Sequence, residues 1–505
     1  HSSPLPMNVS SPHRPTASSP PLPLLPLVLD RVGSTFRRAL DQEGIPCASY
    51  APGPPAGRFV LYDSRSGHTP VLADRQVPID VPSLLSGLEA HPSAQAIPPS
   101  SFLLPPSARL GWRLGELIVQ EDVSRVDQRA MRQRLMAALR AELEAAGGVW
   151  LKLSAFPFPY QSAFNFRIDH DEYVEHDFDA TLSALAGHDG AVSHYVCAST
   201  HAGHPRAMAQ LRGRHVGSHG FFHHTYLDQA DNYRNIGRGI QALAAAGLQP
   251  AGFAAPHGRF NRGLLEALAQ LGVSHSSEFG LAYDDLPFFA GEPDVLQIPI
   301  HPICLGIALD AARQSRGRVS DAAAAVLVRD HFCRVAEAKR QAGEPIFLYG
   351  HPDGRLGRHP DVLRDLLSTV ARMAGVWMTT LAGFEAWWRA RSRVQLQVFW
   401  HNGDLRIMAA GLPGSFRFGV ELWRGQQVAT MPIDGDAQNW SPQAAAFQCR
   451  PAPPVLETVS VEQPAGLRAG LRRRLDWERV TPAGEISTRT WRGWAKRTLR
   501  RLSSS

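Results

Sequence analysis

The chain has 505 residues, 44% of them hydrophobic and 19% charged, with a formal net charge of +6. That length exceeds what one hydrophobic core serves, so two or three domains are expected. No run approaches the ~20 apolar residues of a membrane-spanning helix, and no nucleic-acid partner is expected. The five cysteines, Cys47, Cys197, Cys304, Cys333 and Cys449, lack CxxC spacing and cannot all pair. They read as small buried apolar residues in a reducing, cytoplasmic setting.

Residues 1–23 are rich in Ser and Pro and carry neither the positive segment nor the apolar stretch of a secretory signal, which suggests a disordered leader. Over 24–149 a helical pattern at 32–42, a short apolar strand at 58–62 and a helix spaced Met131, Leu135, Leu139, Leu143 make a small α/β domain. Nothing in it reveals a function. Between 150 and 392, strand-like runs recur at 163–169, 192–198, 215–218, 252–255, 296–300, 346–349 and 376–378, most of them separated by helical patterns. Repeated strand-then-helix units imply parallel strands covered by helices, and seven of them suit an incomplete (β/α)7 barrel. In such barrels the reactive groups sit at the C-terminal strand ends.

Beyond residue 393 the pattern turns to alternation, at 394–400, 405–408 and 416–423, with glycine-containing turns. A C-terminal β-rich domain follows over 393–465, sandwich-like, either a packing partner or a carbohydrate-binding accessory. The last stretch, 466–505, is a basic tail containing Arg468, Arg472, Arg473, Arg474, Arg489, Arg492, Lys496, Arg497, Arg500 and Arg501 together with Trp477, Trp491 and Trp494. Indole and guanidinium groups both settle at membrane interfaces, so peripheral contact with an anionic membrane is one reading and a solvated tail the other.

Three segments carry chemistry. Phe164-Asn-Phe-Arg-Ile-Asp169-His170-Asp171 is an apolar strand ending in acids. On alternating strand geometry Asp169 and Asp171 point to one side, so that one can hold a cation while the other faces water beside it; a helix cap plus a surface charge is the plainer alternative. In His215-Val-Gly-Ser-His219-Gly-Phe-Phe-His223-His224 two His-x-x-x-His spacings overlap. Histidines four apart on a helical turn share a face and can meet one cation. The pair His219 and His223 is favoured, because 216–218 looks like strand, and His215 and His224 are left as supporting or surface groups. Finally, Ile346-Phe-Leu-Tyr-Gly-His351 is a buried strand ending in a histidine, a candidate general acid or a structural residue.

Together these motifs resemble the polysaccharide deacetylase family, the carbohydrate esterases that share the catalytic domain of rhizobial nodulation-factor deacetylases (the NodB homology domain). The resemblance covers about residues 160–390. It implies the deacetylase type of barrel, with Asp169 as catalytic base, Asp171, His219 and His223 as metal ligands and His351 as general acid. Exchange of roles between the two acids, or His170 as a ligand, stays open. The family's Arg-x-Pro-x-Gly motif corresponds to Ala254-Ala-Pro256-His257-Gly258, in which the arginine is missing; Arg259 or Arg167 could replace its charge. The backbone N–H of His257 matches the family's oxyanion donor. The expected cofactor is a divalent metal, zinc by default or another first-row ion.

The resemblance thus implies hydrolysis of N-acetyl groups on amino sugars of a bacterial surface polysaccharide or its precursor; the lack of export features and the cysteines add the expectation of work on the cytoplasmic side, peripheral to the inner membrane if the tail binds lipid. Two other classes stand beside it: a carbohydrate-binding protein on the same barrel without turnover, motivated by Ala254, and a related hydrolase of non-sugar amides.

Overall fold

The strand Ser162–His170 is buried at all nine positions. A strand covered on both faces reads as a continuous apolar run, and here it lies between Val192–Val196 and Ile346–Gly350 in a nine-stranded sheet. From one edge the sheet runs Phe288–Phe289, Leu296–Gln297, His275–Ser277, Phe253–Ala254, Val216–Ser218, Val192–Val196, Ser162–His170 and Ile346–Gly350. Every neighbouring pair is parallel except the first. Phe164 pairs with both Ile346 and Met378, so the ninth strand, Val376–Met378, flanks the start of Ser162–His170 on the side opposite Ile346–Gly350.

This computed structural model describes residues 27–30, 34–49, 59–63, 75–80, 83–84, 107–124, 126–145, 148–290, 294–314, 319–401, 404–452, 458–459, 461, 475–478 and 481–502. The expected leader and Arg468, Arg472, Arg473 and Arg474 lie outside them. The sheet curls: His301 N–H, four residues past Leu296–Gln297 near one end of the sheet, donates to Phe347 O on the strand at the other end (2.8 Å). The result is an α/β half-barrel. All seven expected strands are present, and two more, His275–Ser277 and Phe288–Phe289, join them.

The N-terminal part contains a parallel sheet of Cys47–Ser49, Leu27–Asp30, Phe59–Asp63 and Arg75–Ile79, and the helices Ser34–Glu43 and Gln128–Ala145. An antiparallel hairpin, Ser107–Leu114 with Leu117–Ser124, accompanies it. The C-terminal part has two antiparallel sheets. One of them takes in Trp150–Leu153, which precedes the barrel and pairs with Phe418–Arg424, Trp150 opposite Trp423. The barrel is therefore inserted between strands of one sheet. Trp387 from the helix Leu381–Ser392 seals the junction, its indole N–H donating to Ala155 O (2.8 Å) and its ring stacked on Phe418.

Buried charges join the N-terminal part to both of the others. Arg132 bonds Glu43 and Asp285, and Lys152 bonds Glu43 (2.6 Å). Burial opposes charge on Glu43, but Lys152 and Arg132 outweigh it and bring its pKa down to about 2. No helix among the described residues is long and apolar enough to cross a membrane.

Candidate metal centre

Alternation along Ser162–His170 decides which side chains enter the barrel. Arg167 and Asp169 point inward, where Arg167 Nη2 donates to Asp169 Oδ2 (2.6 Å) while its Nη1 crosses the interior to Ser277 O and Oγ. Both residues are almost wholly buried, at 1% and 2% exposure, and the guanidinium lies over the Tyr349 ring (4.9 Å). His170 points to the other face, bonded to His194 (3.0 Å) and packed on His201. That removes His170 from the ligand position left open for it. Of the two arginine candidates for the missing motif charge, Arg167 is the one that bonds Asp169.

One residue past the strand, Asp171 Oδ1 lies 3.2 Å from His219 Nε2 and 3.2 Å from His223 Nε2. The ligand atoms of these three residues all fall within 4.8 Å of one another. The two histidines do not sit on a helical turn as their spacing suggests. They follow the strand Val216–Ser218 in an irregular loop, shaped by Gly220 in the left-handed region (φ 86°) and clamped by Asn235, whose amide accepts from Phe222 N–H (2.8 Å) and donates to Phe222 O and His224 O. A Cβ on Gly220 would meet Asn235 Nδ2 at 2.8 Å, so glycine is what lets the loop close.

His219 Nδ1 faces Ala254 O at 2.8 Å. A carbonyl only accepts, so Nδ1 carries a proton, which leaves Nε2 as the nitrogen that can bind a metal when the ring is neutral. Burial opposes ionisation of Asp171, yet His351, His219 and His223 together hold its carboxyl well below the usual carboxylate range. Asp171 Oδ1 is buried and has no hydrogen-bond donor of good geometry among the described residues. A buried carboxylate oxygen without a donor and two imidazole nitrogens at 3.2 Å from it fit a divalent cation.

His351 follows the strand Ile346–Gly350, its Nε2 3.5 Å from Asp171 Oδ2 and its Nδ1 3.1 Å from Cys304 Sγ. Burial lowers its pKa against the pull of Asp171 and Asp169. His257 packs edge-on against His223 (4.6 Å) and adopts φ 58°, an uncommon conformation for a residue with a side chain and one that turns the peptide after Pro256. All six singled-out residues, Asp169, Asp171, His219, His223, His257 and His351, thus gather at one end of the sheet. His215 lies elsewhere, stacked with His275. His224 faces Asp476 (2.9 Å) and Glu478 (2.8 Å) from the C-terminal segment.

The chain resembles solved polysaccharide deacetylases. A protein of Mycobacterium smegmatis described as one matches at 20% identity over 47% of this chain and 93% of its own, with a TM-score of 0.40. A Pseudomonas aeruginosa PAO1 protein described likewise matches at 14% identity, 46% and 91% coverage and a TM-score of 0.39. Puue allantoinase matches at 16% identity, 46% and 92% coverage and a TM-score of 0.38. No family model and no curated protein sequence matches.

Three residues of the site escaped the sequence. Cys304 precedes a helix far from any motif, and burial pushes its thiol up to about 12, so it stays protonated beside His351. Burial also raises Glu278 to about 7, in spite of Ser276 and Arg167. Asp353, two residues past His351, rises to about 7 through burial and the Asp171 charge.

Proposed function

We propose that this chain is a metal-dependent N-deacetylase acting on an N-acetylated amino sugar of a bacterial surface polysaccharide or its precursor. The observation that carries the reading is the meeting of Asp171, His219 and His223, from two separate strand ends, with Asp169 and His351 beside them. A divalent cation held by those three ligands, zinc or another first-row ion, supplies Lewis acidity to an acyl carbonyl and to water. Asp169, fixed by Arg167, takes the proton of the attacking water. The N–H of His257 donates to the oxygen that gains negative charge, where a backbone dipole in a water-poor site acts strongly. His351 gives a proton from Nε2 to the departing nitrogen, the C–N bond breaks, and acetate and a free amine leave.

The binding-only alternative rests on Ala254, and the Arg167–Asp169 pair weakens that ground. Five unpaired cysteines favour a reducing compartment for this work. The test is acetate release from a panel of N-acetylated oligosaccharides with added zinc, manganese or cobalt. Turnover by wild type and its loss in Asp169→Ala is the expected result; glycan binding with no acetate from either protein rejects the enzyme, and turnover confined to non-sugar amides rejects the substrate.

A further inference from the structure

The last helix, Trp491–Leu502, contains no acidic residue and five basic ones. On a 3.6-residue period Gly493, Lys496 and Arg500 share one side and Trp491, Trp494, Ala495, Thr498 and Leu502 the opposite side, with Leu499 at its margin. The first side is fastened to the segment that precedes the helix, which is itself bonded to the half-barrel. A Cβ on Gly493 would meet Ser487 O at 1.8 Å, Lys496 Nζ donates to Asp476 O (2.8 Å), and Arg500 donates to Thr481 O and Glu478 O. Arg492 reaches Asp228 (3.2 Å), and Asp476 in turn bonds His224 and Leu227 N–H, so the helix is riveted to the loop that bears His219 and His223.

The second side faces outward. Trp491 and Trp494 are 63% and 61% exposed. Of the ten large apolar side chains that stand exposed among the described residues, four belong to these twelve positions: Trp491, Trp494, Leu499 and Leu502. Such concentration on a clamped helix is not fraying, because the opposite side is anchored by the bonds just described. Arg497 and Arg501 border the apolar face on one flank. Arg497 also lines a cleft of about 440 Å³ in which Arg234, Arg238, Arg489 and Arg497 outnumber Asp231 and Glu485 by two charges.

We propose that this face is a membrane-docking surface for an anionic bilayer, the helix lying in the plane of the interface with its indoles among the acyl chains and its arginines on lipid phosphates. The charge selects the occupant: an apolar stripe bordered by arginines and free of carboxylates complements a negatively charged lipid surface. The full chain carries the test, in flotation with phosphatidylcholine vesicles made with and without phosphatidylglycerol. The expected result is flotation with the anionic vesicles, weakened by salt, and a bound fraction lowered roughly tenfold in Trp491→Ser/Trp494→Ser. Circular dichroism and zinc uptake of that variant stay as in wild type, since both side chains are exposed. Equal flotation with neutral and anionic vesicles, none with either, or undiminished flotation of the variant overturns the proposal. So does a tryptophan-dependent dimer in sedimentation without vesicle binding, which would assign the face to a second copy. These readouts are independent of acetate release.

Discussion

Arg167→Met is the perturbation that tests the inferred catalytic geometry most directly. The guanidinium is nearly inaccessible, bonds Asp169 at 2.6 Å and reaches Ser277 O, while Ser277 Oγ keeps a second partner in Ile298 O. Removing one member of a buried pair leaves the other charge uncompensated, at about 3–5 kcal/mol. Removing both leaves no orphan charge, so Arg167→Met/Asp169→Asn falls short of the sum of the single variants by about 2 kcal/mol or more. Urea unfolding followed by tryptophan fluorescence measures all three, and the same preparations serve for acetate release. Arg167→Met is expected to lose about 10²–10³ in kcat/KM, the range of a mispositioned general base. Additivity within about 0.5 kcal/mol, or wild-type turnover in Arg167→Met, refutes the claim that this arginine holds the base.

Three further outcomes follow from the same geometry. Zinc at a hundredfold excess over its Kd stabilises wild type by about 2.7 kcal/mol; His223→Ala and Asp171→Asn lose this gain, read as thermal unfolding with and without zinc. Cys304→Ala lowers kcat about tenfold with KM and zinc uptake unchanged, and Cys304→Ser restores most of it, since the protonated thiol orients His351 through Nδ1. For Glu43 the folded pKa of about 2 lies below the ordinary 4.5, so its contribution of about 3 kcal/mol is fully present above about pH 4.5 and fades as pH falls toward 2. Glu43→Gln should therefore be less stable than wild type in urea at pH 7, with the gap closing in acid; a gap that is constant with pH contradicts this.

The half-barrel was legible because most of its parallel strands are short apolar runs, and the site because three such runs end in groups a core does not tolerate. Arg167 was one of two candidates, with Arg259, for the missing motif charge, and it is the one that bonds Asp169. The strand His275–Ser277 stayed hidden because its residues are polar and bond inside the barrel, Tyr195 to His275 and Arg167 to Ser277. The His219–His223 spacing suggested a helix, but Gly220 and Asn235, sixteen residues beyond His219, impose a loop instead. Cys304 and His351 meet only through tertiary folding, which no local pattern encodes. Over 475–478 and 481–502 the basic tail is packed, because Asp476 and Lys496 find partners on the barrel or on each other.

The pairing of Trp150–Leu153 with Phe418–Arg424 sets a schedule for biosynthesis. On the ribosome the earlier strand emerges with Trp150, Leu151 and Leu153 ready for a neighbour that does not exist until the half-barrel has been translated. During that interval its edge is open to adhesion by other nascent chains. A chain cut just after Ser392 would carry its half-barrel beside a sticky, single ribbon, because Phe418–Arg424, which closes the seam, is made later.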